Sequence, residues 1–172
     1  MKSIPVSRLK SGALALAIAG VPRGTADVDV NVFVSDQRLA EIFNLLITPG
    51  VEIDVPGATA RAQKDGMFVA RWDGMRIDVF LPSIPFAHEA ERTRLRITAA
   101  DGWSGWFLSA EALAVFKLLF FRGKDIVDLE RLAAVRADLD TSYVRKWIVD
   151  MMGEDDDRVR RWDAIVATHR RP

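Results

Sequence analysis

Two stretches of this chain alternate apolar and polar residues so strictly that each is expected to form a β-strand with one buried face. In ADVDVNVFV, residues 26–34, the four valines share one face. The other face carries Asp27 and Asp29, although aspartate is a poor strand former. MRIDVFL, residues 75–81, repeats the pattern with Asp78 on its polar face. The two strands therefore predict a sheet with an apolar core face and a carboxylate-bearing opposite face.

Three carboxylates on neighbouring strands would repel one another, so a positive group is expected among them. Carboxylate oxygens suit Mg²⁺, which commonly takes one or two carboxylates together with substrate phosphates. Two such ions ~4 Å apart would serve phosphoryl transfer. The alternative is an outward-facing strand whose aspartates are simply solvated, which is the usual meaning of an isolated Asp-x-Asp. A third aspartate on a second strand favours the metal-binding interpretation.

The composition limits the chemistry that such a site can use. The 172 residues include no cysteine, which excludes disulfides, thiolate metal sites and a cysteine nucleophile. The only two histidines, His88 and His169, make a histidine-based zinc site a poor explanation. The formal net charge is zero, so bulk positive potential does not indicate nucleic-acid binding, while a local basic patch stays open.

The order of the predicted elements divides the chain into a mixed half and a helical half. Strands are expected in residues 4–10, the two acidic stretches, TARAQ, GMFVARW, TRLRITA and SGWFL, with hairpin turns at Asp65-Gly66 and Asp73-Gly74. Helices are expected over residues 12–20, after a cap at Ser35 or Asp36, and four times beyond Ser109. We therefore predict an α/β (α+β) fold, with a mixed sheet and flanking helices in residues 1–108 and a C-terminal helical bundle in 109–172.

Three blocks stand in a fixed order between residues 12 and 132: GALALAIAGVPRGTADVDV, RIDVF and SAEALAVFKLLFFRGKDIVDLERL. Together they resemble the signature of minimal nucleotidyltransferases of the polymerase-β superfamily, especially the AbiEii-type group. The first block matches at Gly12, Gly20, Pro22, Arg23, Thr25, Asp27 and Asp29, and the second supplies Asp78. The third resembles the helical signature of the group at Lys117, Arg122, Lys124, Asp125 and Asp128. The resemblance implies the nucleotidyltransferase fold for the first half of the chain.

The resemblance also implies a role for the matching residues. Those that would bind Mg²⁺ and act in catalysis are Asp27, Asp29 and Asp78. Lys117 would be a further catalytic residue. Those that would bind the nucleotide are Gly12, Ala13, Arg23, Thr25 and Asp128. At Ala13 the chain departs from the pattern, which has glycine or serine there.

Ordinary packing offers alternatives for the helical residues. Lys117 would then be a lysine whose stem packs while its head reaches solvent. Asp125 and Asp128 would be the N-cap and N3 residues of their helix. Trp147 and Trp162 are expected in the core. The C-terminal arginines would contact RNA or form a solvated helix face with the neighbouring acids: Arg158, Arg160, Arg161, Arg170 and Arg171.

The N-terminal segment permits two interpretations. Lys2, Arg8 and Lys10 precede the apolar run GALALAIAGV, and residues 17–19 resemble a signal-peptide cleavage site. The competing interpretation is a short buried helix that leads into the acidic strand. The run is too short to span a bilayer. Because it belongs to the ordered series of motifs, we expect a cytoplasmic protein without a membrane partner.

The function implied by the resemblance is Mg²⁺-dependent transfer of NMP from an NTP to an acceptor hydroxyl. The AbiEii-type group includes toxins of toxin–antitoxin and phage-defence systems, some of which modify the 3′ end of tRNA. The expected acceptor is therefore tRNA or another RNA, and the expected partner is a cognate antitoxin. Two further functions stay open: nucleotidylation of a small molecule such as an antibiotic, and non-catalytic binding of a nucleotide or a partner on the same fold.

Overall fold

The computed structural model describes residues 8–22, 24 and 27–169 of the chain. The described residues fall into two compact units. Unit 1 takes in those of Met1–Ala13 and Gly24–Phe107, and unit 2 takes in those of Leu14–Arg23 and Leu108–Pro172. The carboxylate-bearing strands belong to unit 1, and the helical half of the chain belongs to unit 2.

A six-stranded mixed sheet forms the framework of unit 1. Its strands are β1 (Arg8–Ser11), β2 (Asp27–Val32), β3 (Met67–Trp72), β4 (Met75–Phe80), β5 (Leu95–Thr98) and β6 (Ser104–Phe107). Their order in the sheet is β3-β4-β2-β1-β6-β5. The pairs β2–β4 and β1–β6 are parallel, and the other neighbours are antiparallel. The predicted mixed sheet is therefore confirmed.

The helices of the chain precede, interrupt and follow these strands. They are α1 (Gly12–Ile18), α2 (Leu39–Ile47), α3 (Val55–Asp65), α4 (Phe86–Arg92), α5 (Ala110–Phe120), α6 (Gly123–Val135), α7 (Thr141–Met152) and α8 (Asp157–His169). In unit 1 the apolar sides of α2 and α3 share a core with one face of the sheet. That core contains Val32, Phe43, Ala62, Phe68 and Val79. The face of β2 and β4 that carries the aspartates is the opposite one.

The strand predicted at TARAQ is wrong, because these residues belong to α3. The Asp54 side chain caps this helix by accepting a hydrogen bond from Gly57 N, and Pro56 lies in its first turn. Ala58 and Ala62 are four residues apart and buried, so the short alternation reflects one helical face. Gly66, with φ of 66°, ends the helix instead of forming a hairpin.

The second predicted hairpin is confirmed at Asp73-Gly74. These two residues join β3 to β4, with Trp72 and Met75 as the closing pair. Both have positive φ, 49° and 74°, as a two-residue hairpin turn requires. The tight turn fixes the register of β3 against β4, which carries Asp78.

Two further details of unit 1 differ from the prediction. The N-cap position of α2 is occupied by Arg38 and not by Ser35 or Asp36, because residues 36–38 form a 3₁₀ turn before the helix. Helix α4 was not predicted at all. Its buried residues Phe86, Ala87 and Ala90 follow helical spacing, but the segment holds only two turns and has no side-chain cap.

Residues 110–169 form the four predicted helices of unit 2. Ser109 caps α5, since its Oγ accepts a hydrogen bond from Ala112 N at 3.1 Å. Trp162 is buried as predicted, and its Nε1 donates to Thr141 O at 3.1 Å, whereas Trp147 is only half-buried. Within the described residues, every helix is too short or too polar to cross a membrane.

Candidate functional site

The structure places three predicted carboxylates on one face of the sheet in unit 1. Asp29 and Asp78 are directly paired across the parallel strands β2 and β4. Asp27 lies two residues earlier on β2, so it shares their face. Neighbouring strands lie ~4.8 Å apart, which brings the side chains of the paired aspartates within reach of one ligand.

Arg76 supplies the positive group that the aspartates require. It is paired with Asp27 across the strands, and its Nε donates to Asp78 Oδ1 at 2.7 Å. The hydrogen bond to Asp78 raises the pKa of Arg76 most, followed by the charge of Asp78 and, after a smaller opposing effect of burial, the charges of Asp27 and Asp29. The alternation of MRIDVFL already put Arg76 on this face, and that was the signal for its role. Sequence reasoning did not include it among the site residues.

The carboxylates suit a magnesium ion that is also bound by substrate phosphates better than a metal ion bound by protein side chains alone. Among the described residues, no three His, Asp or Glu side chains are arranged as a ready-made metal site. Mg²⁺ in phosphoryl-transfer enzymes commonly needs only one or two carboxylates, because the substrate phosphates and water complete its coordination. Asp29 and Asp78 are two hard oxygen donors in register. The donor set therefore fits a magnesium ion that arrives together with its nucleotide.

The predicted phosphate-binding turn begins beside Asp29. Ser11, the last residue of β1, is paired with Asp29, and α1 begins at the next residue, Gly12. The backbone of Gly12 and Ala13 thus follows directly after the residue in register with Asp29. Arg23 and Thr25, the other predicted nucleotide-binding residues of this block, lie outside the described residues.

Lys117 belongs to a buried ionic cluster in unit 2. Its Nζ lies 2.7 Å from Asp128 Oδ2 and 3.4 Å from Asp125 Oδ1. The three residues are 5%, 2% and 1% exposed, respectively, so the interpretation of a lysine with its head in solvent is wrong. Arg122 extends the cluster, since its Nε donates to Asp125 Oδ2 at 2.6 Å. Two cations balance two carboxylates, which is what burial of such charges requires.

The helix-cap interpretation of this cluster needs a correction. Asp125 is the N3 residue of α6 and not its N-cap; Arg122 occupies the N-cap position, and its backbone N–H donates to Asp125 Oδ2 at 3.2 Å. Burial pushes the pKa of Asp125 upward, but the hydrogen bonds from Arg122 and the charge of Lys117 outweigh burial. The pKa of Asp125 therefore lies below its usual value. Asp128 lies in the second turn and pairs with Lys117.

The C-terminal arginines that the structure describes form ion pairs with neighbouring acids. Arg158 pairs with Asp156, Arg160 with Asp157, and Arg161 with Glu130. These contacts match the solvated helix face that was one of the two interpretations. Arg170 and Arg171 lie outside the described residues.

A pocket of about 610 Å³ lies elsewhere in unit 1, where the chain leaves the carboxyl ends of β2 and β4. It is lined by the residues that follow these strands and by the end of α3, together with His88. None of the predicted site residues lines it. We place the candidate site at the aspartates, because they combine paired carboxylates with a compensating cation and the pocket offers no comparable group.

Among the solved structures to which the chain is similar are two of an antibiotic-resistance factor and one of a nucleotidyltransferase-like protein. One is a solution structure of the antibiotic-resistance factor ANT(2″)-Ia, with 16% identity over 95% of this chain and 83% of that chain and a TM-score of 0.45. The second is ANT(2″)-Ia in complex with adenylyl-2″-tobramycin, with 15% identity, 95% and 88% coverage and a TM-score of 0.45. The third is an antigenic nucleotidyltransferase-like protein from Paracoccidioides brasiliensis, with 17% identity, 92% and 85% coverage and a TM-score of 0.45.

No protein-family model matches the chain, and none of the curated proteins is significantly similar to it. The chemistry of the chain is therefore inferred from its own residues.

Proposed function

We propose that this chain is a Mg²⁺-dependent nucleotidyltransferase that moves NMP from an NTP to an acceptor hydroxyl. The observation that carries the proposal is the direct pairing of Asp29 with Asp78 across parallel strands, with Asp27 on the same face. A sheet gains nothing in stability from like charges placed side by side. Such an arrangement is explained if the carboxylates serve a cation that comes with the substrate.

Each carboxylate has a part in this reaction. Asp27, Asp29 and Asp78 would together hold Mg²⁺ and the triphosphate, and Asp78 would also orient the acceptor hydroxyl and accept its proton. The hydroxyl oxygen bonds to the α-phosphorus, and the bond from that phosphorus to the leaving pyrophosphate breaks. When Mg²⁺ is bound at these carboxylates, it supplies charge neutralisation for the triphosphate and the pyrophosphate. The backbone N–H groups of Gly12 and Ala13 support phosphate beside Asp29.

Arg76 serves this site in two states. Without nucleotide it balances the charge of the aspartates through its hydrogen bond to Asp78. Its side chain is 49% exposed, so the contact is easily exchanged for another. With nucleotide bound, Arg76 turns its guanidinium to a phosphate oxygen, an acceptor that matches its planar donors.

We further propose an RNA acceptor, with the 3′ end of tRNA as the first candidate, and a role in a toxin–antitoxin pair. The support for this is the resemblance to the AbiEii-type group, which includes the third sequence block. Lys117, Asp125 and Asp128 of that block form the buried cluster of unit 2. On that resemblance we assign Lys117 a part in catalysis and Asp128 a part in nucleotide binding.

A transfer assay tests the proposed function. The native protein and Asp29→Asn are incubated with Mg²⁺, total cellular RNA and each α-labelled NTP in turn. We expect label on a tRNA-sized band from one preferred NTP, and a loss of about a hundredfold or more in Asp29→Asn because charge neutralisation at the site fails.

Asp73→Asn is the matched control for this assay. It makes the same chemical change in the turn next to β4, where asparagine tolerates the positive φ of 49°. Its activity should equal that of the native protein. Label that persists in Asp29→Asn would contradict the proposed site. Label on a small alcohol but not on RNA would leave nucleotidyl transfer standing and remove the RNA acceptor.

A further inference from the structure

The strand pairing that positions the aspartates continues from β2 across β1 to the hairpin β5–β6. Asn31 of β2 shares a face with Asp29 and is paired with Leu9, which in turn is paired with Trp106 of β6. Trp106 is paired with Arg96 of β5. Strand spacing and rise put Trp106 about 12 Å from Asp29 along this face.

An exposed pair of aromatic and basic groups occupies this end of the face. The guanidinium of Arg94 lies over the Trp106 ring at 4.6 Å from its centroid, and the indole is still 37% exposed. Arg94 is held there by Glu91, through a hydrogen bond of 2.8 Å to the Glu91 carbonyl oxygen and an ion pair of 3.3 Å. The stacked indole is therefore fixed in place before any ligand binds.

Arg96 beside Trp106 has no carboxylate partner within the described part of the chain. Its Nη2 donates to Ser104 Oγ at 3.3 Å, and the residue is exposed. Asp101, the acid of the turn between β5 and β6, accepts a hydrogen bond from the backbone of Trp103 at 3.0 Å. Arg96 is thus a cation whose charge is left for a ligand.

We propose that the Trp106 surface, formed by Arg94, Arg96 and Trp106, binds the single-stranded segment of the acceptor RNA that precedes its reacting 3′ end. The proposal rests on the proposed function, because it extends the acceptor from the aspartates across β6 to β5. A base stacks on the exposed indole, and Arg96 pairs with a backbone phosphate. This combination of aromatic platforms and cations is the one that proteins use for single-stranded nucleic acids.

A protein partner would use this hairpin differently. An extended peptide would add to the outer edge of β5 through backbone hydrogen bonds, and it would not depend on the indole of Trp106. Since Arg96 of β5 lies next to the tryptophan on which Arg94 stacks, charge and ring stacking together favour a polyanion that carries bases.

Binding of a short fluorescently labelled single-stranded RNA, followed by anisotropy without NTP, tests the proposal independently of catalysis. We expect Trp106→Ala to weaken binding roughly 5- to 150-fold and Trp106→Phe to keep most of it. Arg96→Gln should lower the magnitude of the slope of log K against log[salt] by about 0.7, the value for one lost contact to a single-strand phosphate.

Two matched variants lie on the other side of the sheet. Trp72 is 54% exposed and alternates onto the core face of β3, and Arg61 is an exposed residue of α3, which packs on that face. Trp72→Ala and Arg61→Gln should bind RNA as the native protein does. Circular dichroism spectra and melting temperatures check that every variant is folded.

Several results would overturn the proposal. Equal affinity of Trp106→Ala and the native protein would do so, as would equal losses in Trp106→Ala and Trp72→Ala. A polyglutamate peptide serves as a competitor without bases. If it displaced the RNA and bound the native protein and Trp106→Ala equally well, the surface would be an unspecific cationic or protein-binding edge instead. The binding measurement does not require nucleotidyl transfer. If RNA binding depended on Trp106 in a protein without transfer activity, the Trp106 surface would be supported and only the proposed function would be rejected.

Discussion

Arg76 donates a hydrogen bond from Nε to Asp78 Oδ1 across 2.7 Å, on the sheet face that also carries Asp27 and Asp29. Its guanidinium offsets part of the repulsion among these carboxylates. An ion pair with one partner half exposed contributes only about 0–1 kcal/mol to stability. On the proposed function, a divalent cation that arrives with a nucleotide would therefore replace Arg76 at Asp78 at little cost in stability.

Removal of Arg76 should make the protein depend more strongly on Mg²⁺ for its stability. In Arg76→Gln Asp78 loses the cation hydrogen-bonded to it, so the melting temperature should be lower in metal-free buffer and rise further on addition of MgCl₂ than that of the native protein. The reason is that a ligand stabilises the folded state in proportion to its affinity, and Arg76 competes with the metal. Differential scanning fluorimetry with and without MgCl₂ measures both effects.

The controls for this experiment separate specific binding from ionic screening. NaCl at matched ionic strength should not reproduce the rise, since it only screens the carboxylates. Asp29→Asn added to Arg76→Gln should abolish the response to MgCl₂. An equal response in all three proteins would show that the aspartates do not form the cation site.

The buried cluster of unit 2 should be strongly coupled. Lys117→Met leaves Asp125 and Asp128 buried without their shared cation, and such a change typically costs about 3–5 kcal/mol. Asp128→Asn should lower the free energy of unfolding less in the Lys117→Met protein than in the native protein, because its partner Lys117 is already absent. Urea unfolding of the two single variants and the double variant gives the coupling free energy.

Lys124→Met is the control for the loss of a lysine next to this cluster. Lys124 is exposed, so its replacement should change the free energy of unfolding by no more than about 0.5 kcal/mol. Strictly additive losses in the Lys117 and Asp128 variants would contradict the cluster as described.

Much of unit 1 was predictable because its signals are local. The alternation in ADVDVNVFV and MRIDVFL is long enough to define both strands and their faces, and Asp73-Gly74 has the residues that a two-residue hairpin needs. The strand prediction for TARAQ was wrong because five alternating residues also fit alanines that are spaced by one helical turn. The decisive signals there were the cap at Asp54 and the left-handed Gly66.

The contacts within each site could not be predicted from the sequence. The pairing of Asp29 with Asp78 depends on a parallel register between strands 49 residues apart in sequence, which no local pattern fixes. Likewise the Lys117 cluster joins α5 to α6, and a lysine in an apolar run does not reveal which carboxylates it meets. The resemblance named these residues but not their partners, and Arg76 was not among them.

Asp125 should make the stability of the protein sensitive to acid. Although burial opposes it, Arg122 and Lys117 lower the pKa of Asp125 below its unfolded value of about 3.9. The stabilisation is therefore complete above that unfolded value and is lost as pH falls through the lower folded value. Asp125→Asn should lack this part of the pH dependence, which urea unfolding at several pH values below about 5 would measure.

Arg122→Gln provides a second variant for the same effect. Without the Arg122 hydrogen bond the pKa of Asp125 should move up towards its unfolded value, so the loss of stability in acid should shrink without removal of the carboxylate. An acid dependence that is unchanged in both variants would assign the effect to other groups.

Gly66 and Gly74 offer a matched test of the finding that one Asp-Gly pair ends a helix and the other forms a hairpin. Both glycines have positive φ, 66° and 74°, so alanine is strained at either position. A Cβ at Gly66 would lie 2.5 Å from the Cβ and Oγ of Ser83, whereas at Gly74 no atom lies within 4 Å. Gly66→Ala should therefore be less stable than Gly74→Ala by about 1–3 kcal/mol in urea unfolding.

Replacement of Ser83 isolates the cause of that difference. In Gly66→Ala combined with Ser83→Gly the clash is gone, so the remaining loss relative to Ser83→Gly alone should approach that of Gly74→Ala. The same double variant would show no recovery if Gly66 lay in a hairpin turn away from Ser83. Because Leu81 N also donates to Gly66 O at 2.8 Å, the close approach belongs to the junction between α3 and the end of β4. The difference between the two glycines thus reports on how α3 meets the strand that carries Asp78.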